Sequence, residues 1–145
     1  MSGEQKSSQA NVHPQSDGKP FVLVVDDDSL VRSLTSRILE ASGFSTMGAE
    51  DGVAARDLIN TGITPDLVLT DVKMPRMNGA ELGRLLGQLR PGLPVVYMSG
   101  FASDSTDLLS PDILQNCFIE KPFSPVDLVA IVVRCLKTPK TSDAG

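Results

Sequence analysis

Stretches with the length and composition of strands alternate along the chain with stretches whose apolar residues recur at a helical period. The predicted strands are Phe21–Val25, Phe44–Gly48, Leu67–Thr70, Val95–Met98 and Cys117–Ile119. A helical pattern follows each of them. Five such alternations with short connections predict one parallel sheet with helices on both faces. Most of the strands are almost continuously apolar, which agrees, because a parallel sheet is buried on both sides.

The helical patterns also predict which side chains face the core. The stripe expected to be buried in the first helix is Leu30, Val31, Leu34, Ile38 and Ala41. The fourth helix has a weak pattern, so we expect it to be short or broken. In the last helix, Asp127, Arg134 and Lys137 mark an outer face, and Ala130 and Ile131 are expected between them. Exposed apolar residues there would suit partner docking or dimerisation, the alternative being scattered surface residues without a role.

Length and composition indicate one folded domain. The chain has 145 residues, of which 41% are hydrophobic and 21% charged, as in globular proteins with their own core. Residues 1–19 are polar and have no apolar period, so we expect a disordered leader or linker. The domain is expected over residues 20–138, and residues 139–145 are expected to form a flexible tail.

Charge and residue types narrow the range of functions. The formal net charge is −5 without a long basic run, which argues against direct binding of nucleic acid. No apolar run approaches the roughly 20 residues of a membrane span, and no signal peptide opens the chain. We therefore expect a cytoplasmic protein without membrane insertion. Cys117 and Cys135 lack C-x-x-C spacing, so we interpret them as buried apolar residues rather than a disulfide or metal site.

Polar side chains stand where four of the predicted strands end. Asp26 and Asp27 follow the first strand, Asp71 the third, Ser99 the fourth and Lys121 the fifth. The carboxyl ends of parallel strands lie at one edge of a sheet, where open α/β sheets bind their ligands. We therefore expect three carboxylates, a hydroxyl and an ammonium to lie close together.

These side chains suit phosphoryl transfer to a carboxylate. Mg²⁺ binds oxygen ligands, commonly one or two carboxylates and water, and an aspartate can act as a nucleophile that becomes an aspartyl phosphate. Lys121 and Ser99 can stabilise the transferring phosphoryl oxygens. The structural alternative is a set of helix caps beside a surface lysine. Asp28 or Ser29 suffices for capping, which leaves Asp26 and Asp27 without a local structural reason.

Four motifs follow one another along the chain in this order: VLVVDDDSLVR, LVLTDVKMPRMNGAEL, VVYMSG and FIEKPFSP. Together they resemble the receiver domain of two-component response regulators, over about Phe21–Lys137. The resemblance implies a flavodoxin-like, CheY-like sheet of order 2-1-3-4-5. It also implies Mg²⁺-dependent transfer of a phosphoryl group from a phosphohistidine to an aspartate.

The resemblance assigns a metal site and an acceptor. Asp71 matches the phosphoacceptor, Asp27 the direct Mg²⁺ ligand, and Asp26 the acidic residue that binds the ion mainly through water. The backbone carbonyl of Lys73 matches the main-chain ligand. Mn²⁺ is expected to substitute for Mg²⁺.

The resemblance also assigns the switch residues. Ser99 matches the switch hydroxyl and Lys121 the invariant lysine of the family. Phe118 matches the aromatic switch position, although it lacks the hydroxyl of the tyrosine often found there. The Lys121–Pro122 peptide bond matches one that is cis in the family.

The implied partners are a sensor histidine kinase or a histidine phosphotransfer domain. A downstream protein is expected to bind the face formed by helix 4, strand 5 and helix 5. The chain is expected to be either a single-domain response regulator or the receiver of a hybrid kinase. The domain is not expected to be an enzyme on a separate substrate, since it catalyses its own phosphorylation and dephosphorylation.

Two other functions stay open at the level of sequence. Asp26 and Asp28 form a D-x-D pattern like that of haloacid-dehalogenase-like phosphatases, but that reading leaves Asp71 and Lys121–Pro122 unexplained. The other alternative is a degenerate receiver that only binds partners, against which stands the presence of every phosphorylation residue. Neither a G-x-G-x-x-G nor a P-loop motif is present, so a dinucleotide site or a P-loop is not supported.

Overall fold

The computed structural model describes residues 18–100 and 108–137. The predicted leader up to residue 17, residues 101–107 before the fourth helix, and the tail from residue 138 lie outside this range. The strands are β1 Phe21–Val25, β2 Ser45–Ala49, β3 Leu67–Asp71, β4 Val95–Ser99 and β5 Phe118–Glu120. The helices of the described residues are α1 Ser29–Ala41, α2 Gly52–Asn60, α3 Gly79–Leu89, α4 Pro111–Asn116 and α5 Pro125–Lys137.

The strands form one parallel sheet in the order β2-β1-β3-β4-β5. Helices α1 and α5 cover one face, and α2, α3 and α4 cover the other. The predicted fold class and strand order are thus confirmed. The reversal of strand order between β1 and β3 creates the crevice in which such sheets bind ligands.

Strands β3 and β4 run one residue further than the apolar pattern predicts, and β2 and β5 are each shifted by one residue toward the C-terminus. Asp71 still pairs with Met98, and Ser99 pairs with Glu120. A polar residue at the carboxyl end of a strand can stay in the ladder because its backbone groups bond like any others. Asp71 and Ser99 are therefore held by the sheet itself rather than by a loop.

Side-chain caps define where the helices begin. Asp28 caps α1, and its carboxylate accepts hydrogen bonds from the amides of Leu30 and Val31. The other capping side chains are Asp51, Asn78, Ser110 and Ser124. Because Asp28 alone serves as the cap, the carboxylates of Asp26 and Asp27 do not take part in starting the helix.

The buried face of α1 differs from the predicted one by about one residue along the helix. Leu30 and Leu34 are 75% and 56% exposed, whereas Thr35 and Leu39 are buried. Thr35 is polar, so an apolar pattern does not select it, although a small hydroxyl side chain can be buried beside the sheet. Helix α1 therefore presents two leucines to solvent.

The proposed apolar docking face on α5 was wrong for Ile131. Its side chain is only 6% exposed and belongs to the core on the α1 side of the sheet. The buried residues of the helix are Leu128, Ile131, Val132 and Cys135. This is the i, i+3, i+4, i+7 spacing of a core-facing stripe. Ala130 and Val126 are exposed.

Both cysteines lie beside the core as thiols, as predicted, with Cys135 buried and Cys117 half-buried. The Cys135 thiol donates to the backbone oxygen of Asn116 at 3.5 Å. The thiol of Cys117 and burial together raise the pKa of Cys135. Among the described helices, none combines the length and apolar character that crossing a bilayer requires.

Close packing between α3 and β4 generates a stability prediction. A Cβ atom on Gly83 would overlap the hydroxyl of Tyr97. We expect Gly83→Ala to lower the free energy of unfolding by about 2 kcal/mol, as overpacking does. Tyr97→Phe in the same chain should recover part of this loss because it removes the overlapping oxygen. Urea unfolding of the single and double variants measures the coupling.

The matched control is Gly87→Ala in the same helix. Nothing lies within 4 Å of a Cβ atom at Gly87, so the alanine should stabilise the helix by about 0.5–1 kcal/mol through its propensity. Equal stability of the Gly83 and Gly87 variants would contradict the packing described here.

Candidate functional site

The register of the sheet brings the ends of three strands together. Val25 pairs with Thr70, which places Asp26 beside Asp71, and Asp71 in turn pairs with Met98 on β4. The amide of Lys121 donates to the backbone oxygen of Ser99 at 2.8 Å. The strand-end residues predicted from sequence therefore do lie along one edge.

Three carboxylates at this edge form a cluster suited to a cation. Oxygens of Asp26, Asp27 and Asp71 lie within 4.8 Å of one another. Asp26 and Asp71 are buried, and Asp27 is exposed. Carboxylate oxygens with one side open to water are the donor set that Mg²⁺ and Mn²⁺ take. The residues present therefore fit a hard divalent cation.

Lys121 supplies the positive charge nearest to the buried carboxylates. Its Nζ lies 2.9 Å from Oδ2 of Asp26 and 3.5 Å from Oδ1 of Asp71. Burial acts to lower the pKa of the Lys121 ammonium, but the two carboxylates outweigh burial and the pKa is raised. Lys121 is therefore charged at neutral pH and bridges β1 and β3 from the end of β5. The Lys121–Pro122 peptide bond is cis.

Three groups of Asp26 form hydrogen bonds that hold the residue in place: its carboxylate, its backbone oxygen and its amide. Its Oδ1 accepts from the amide of Asp28 at 2.9 Å, and its backbone oxygen accepts from Nη1 of Arg32 at 2.6 Å. Its own amide donates to the backbone oxygen of Ala49 at 3.1 Å. These contacts leave Asp26 little freedom to turn away from the cluster.

The carboxyl of Asp71 has a pKa shifted from its ordinary value. Its Oδ1 accepts from the amide of Val72 at 3.0 Å. Burial is the largest influence on its pKa, and Lys121 opposes it. The charges of Asp26 and Asp27 act with burial, and the pKa of Asp71 is raised from 3.8 to about 6. Burial and the two neighbouring carboxylates therefore disfavour the charged form of Asp71 by more than Lys121 favours it.

The two predicted switch residues lie in neighbouring strands, with Ser99 at the end of β4 and Phe118 at the start of β5. Ser99 is buried at the end of β4. Phe118 is half-buried and packs into the core beneath α3 and α4, where it pairs with Tyr97. The side chain of Lys73 is exposed, two residues after Asp71. The sheet edge therefore gathers Asp26, Asp71 and Lys121, whereas Phe118 lies in the core.

Two arginines near the site were missed by the sequence analysis. Arg32 lies in α1 outside the predicted apolar stripe, and its side chain reaches the backbone of Asp26. Arg76 pairs with the buried carboxylate of Asp51, 25 residues away. The N-cap position of Asp51 was readable from sequence, but its ion pair depends on how two loops meet.

Comparison with known proteins identifies a family that this chain matches. A family model described as the response regulator receiver domain matches residues 22–133. The response regulator MprA of Mycobacterium tuberculosis H37Rv is 36% identical over 124 residues, which cover 86% of this chain and 54% of MprA. The MprA protein of Mycobacterium sp. strain KMS is 38% identical, with 86% and 53% covered. The chain spans about half the length of these curated relatives.

Solved structures agree with the fold. A CheY-like receiver domain protein from Methanospirillum hungatei superposes with a TM-score of 0.72 and 28% identity, over 88% of this chain and all of that one. The receiver domain of NtrX from Brucella abortus gives a TM-score of 0.71 with 34% identity, over 81% and 98%. A receiver protein from Sinorhizobium medicae gives 0.74 with 26% identity, over 85% and 98%.

Burial of the Asp71 carboxyl, together with the charges of Asp26 and Asp27, predicts that this residue weakens the fold. A carboxyl whose pKa is raised on folding costs stability as pH rises through the window from 3.8 to about 6. We expect Asp71→Asn to raise the free energy of unfolding by about 1–2 kcal/mol near pH 7.5 without divalent cations. The gain should shrink as the pH falls through this window and vanish near about pH 3, below both pKa values, where the carboxyl is protonated in both states.

Urea unfolding of both proteins across this pH range is the measurement. Asp57→Asn is the control, because Asp57 lies on the exposed surface of α2. A less stable Asp71→Asn protein at neutral pH would show that the hydrogen bonds of Asp71 outweigh the repulsion.

Proposed function

The chain belongs to the response regulator receiver family, and from that premise we propose that Asp71 accepts a phosphoryl group from the phosphohistidine of a sensor histidine kinase or a histidine phosphotransfer domain. Response regulators as a class receive phosphoryl groups from histidine kinases. The observation that carries the proposal is the grouping of three carboxylates with the Lys121 ammonium at one edge of the sheet.

The transfer exchanges one bond for another at phosphorus. A carboxylate oxygen of Asp71 attacks the phosphorus in line with the departing imidazole nitrogen. A P–O bond forms, the P–N bond breaks, and its electron pair stays on the imidazole of the partner. Asp71 is suited to this role because it ends β3 in a fixed position and its exposed neighbour Asp27 marks the open side of the site. The product is an acyl phosphate on this chain.

A divalent cation is part of the proposal. Asp26, Asp27, Asp71 and the backbone carbonyl of Lys73 are the residues proposed to hold Mg²⁺, with Mn²⁺ as a substitute. When bound, the ion supplies positive charge for the phosphoryl oxygens. The shortage of positive charge around Asp71 supports this proposal, since burial of like charges needs compensation.

Lys121 has a second proposed role after transfer. In the free site it lies between Asp26 and Asp71. A phosphoryl group on Asp71 brings more negative charge and three acceptor oxygens, so the ammonium is expected to pair with it. Its fixed position beside Asp71 means that little reorganisation is needed, which is how preorganised charges assist such steps.

Phosphorylation is proposed to switch the face formed by α4, β5 and α5. Ser99 supplies a hydroxyl to a phosphoryl oxygen, and Phe118 repacks in the adjacent core. The short helix α4 supports this proposal, because within the described residues none of its side chains is buried. Elements with few buried contacts are the ones that open at low cost.

The proposed setting is a cytoplasmic phosphorelay, either as a single-domain regulator or as the receiver of a hybrid kinase. The domain acts on itself rather than on a separate substrate. The phosphatase alternative is weakened by Asp28, whose carboxylate already caps α1. The second aspartate of a D-x-D motif could not stay in that cap and also serve the reaction.

Intact mass tests the acceptor. Incubation with Mg²⁺ and acetyl phosphate should add one phosphoryl group to the wild-type chain, and Asp71→Asn should abolish the adduct, because the attacking oxygen is gone. Asp57→Asn is the matched control and should be phosphorylated like the wild type.

Steady release of phosphate that survives Asp71→Asn but not Asp26→Asn would instead indicate a phosphatase. A wild-type chain that shows neither adduct nor turnover, even with a histidine kinase as donor, would leave a binding-only domain.

Hydrogen exchange tests the switch separately from the chemistry. Phosphorylation should change amide exchange in peptides that cover α4, β5 and the start of α5. Ser99→Ala should accept phosphate but lose most of this change, because the hydroxyl that links the phosphoryl group to β4 is missing. An unchanged exchange pattern in phosphorylated wild-type protein would contradict the switch.

A further inference from the structure

The loop from Val72 to Asn78 connects the acceptor strand to α3 and carries the backbone of Lys73. Its base is closed by a hydrogen bond of 2.8 Å from the amide of Gly79 to the backbone oxygen of Val72. Near its tip, the amide of Met77 donates to the backbone oxygen of Pro75 at 2.7 Å. The backbone between these two bonds includes the carbonyl proposed above as a metal ligand.

The tip of this loop adopts a backbone conformation that its residue does not favour. Arg76 has φ of 70° and is the single non-glycine residue with positive φ in the part of the chain that the structure describes. A side chain with Cβ enters this region at a cost of about 1 kcal/mol or more. Contacts elsewhere must therefore hold Arg76 in place.

Those contacts come from the β2–α2 connection. Nε of Arg76 donates to Oδ2 of Asp51 at 2.8 Å, and Nη2 forms a second bond to the same oxygen. Oδ1 of Asp51 accepts from the amide of Ala54 at 2.8 Å, so this carboxylate caps α2 and binds the arginine at once. Burial acts to raise the pKa of Asp51, but the Ala54 amide and Arg76 outweigh it and the pKa is lowered.

The two loops also fit together sterically. A Cβ atom on Gly52 would lie 2.8 Å from Cβ of Met77, too close for real atoms. Glycine at this position lets the backbone of the β2–α2 connection approach the residue directly after Arg76. The ion pair is therefore part of a close-packed contact between two loops, in which the Asp51 carboxylate is almost fully buried.

We propose that Asp51 and Arg76 are positioning residues for the metal site. Their ion pair latches the tip of the Val72–Asn78 loop to the start of α2 and thereby holds the backbone carbonyl of Lys73 toward the carboxylate cluster. This inference rests on the proposed function. Arg76 lies three residues from Lys73, so the link spans at most about 10 Å of extended chain.

Affinity for Mn²⁺ in the unphosphorylated protein is the first test, read from the free-ion electron paramagnetic resonance signal. Asp51→Asn keeps the α2 cap, because asparagine caps as well as aspartate, but removes the charge that Arg76 binds. Arg76→Ala removes the other partner. Each variant should weaken Mn²⁺ binding about tenfold, which is the smaller of the losses in affinity expected when a residue that orients a metal ligand is replaced.

The pattern across variants separates positioning from general stability. The double variant should bind Mn²⁺ no more weakly than either single variant, since both break one latch. Arg76→Lys should recover part of the affinity, because it keeps the charge without the fork of two donors. Arg56→Ala, which breaks the exposed Arg56–Asp57 pair on α2, is the matched control and should bind like the wild type.

Hydrogen exchange of the metal-free protein gives a readout independent of function. Amides in the Val72–Asn78 loop should exchange several-fold faster in Asp51→Asn and Arg76→Ala than in the wild type. Unchanged exchange overturns the latch itself. If both variants bind Mn²⁺ as tightly as the wild type does, the positioning role alone is overturned. A wild-type chain that binds no Mn²⁺ overturns the metal step of the proposed function, and the inference falls with it.

Discussion

The burial of carboxylates close together at the carboxyl edge of the sheet is the constraint around which the rest of the site is arranged. The sheet fixes Asp26 and Asp71 in place through strand pairing, so the two cannot separate. Lys121 lies close to both, and it does not fully compensate them, since the pKa of Asp71 stays raised. A cation bound there would therefore add positive charge to a site whose geometry the sheet already fixes, and the apolar core supplies the free energy that holds the carboxylates together.

Much of this arrangement was readable from the sequence, for a physical reason. Parallel strands buried on both faces leave apolar runs, and the residues that end those runs necessarily share an edge. The errors came from residues whose burial depends on their neighbours in space. Thr35 lies in the core although it is polar, and Ile131 is buried although charged residues flank it along the chain. The helical period predicts which side chains form an apolar stripe. The angle at which the helix packs on the sheet decides which edge of that stripe is buried.

The parts of the site that could not be predicted from sequence are contacts made by long side chains between separate elements. Arg32 and Arg76 each have many rotamers, and their partners are a backbone oxygen and a carboxylate placed by other elements. The positive φ of Arg76 is not suggested by its residue type, since glycine and asparagine are the usual occupants. Such contacts follow from tertiary structure, and they decide how firmly the edge residues are held.

The position of Lys121 in the chain has a consequence for synthesis and folding. Its ammonium pairs with Asp26 across 95 residues, so the contact forms only after the last strand has joined the sheet. A nascent or shortened chain that ends before β5 holds its carboxylates without their counter-charge. Contacts this distant in sequence form late and make folding slower. Charge compensation at the carboxyl edge is thereby tied to completion of the whole sheet.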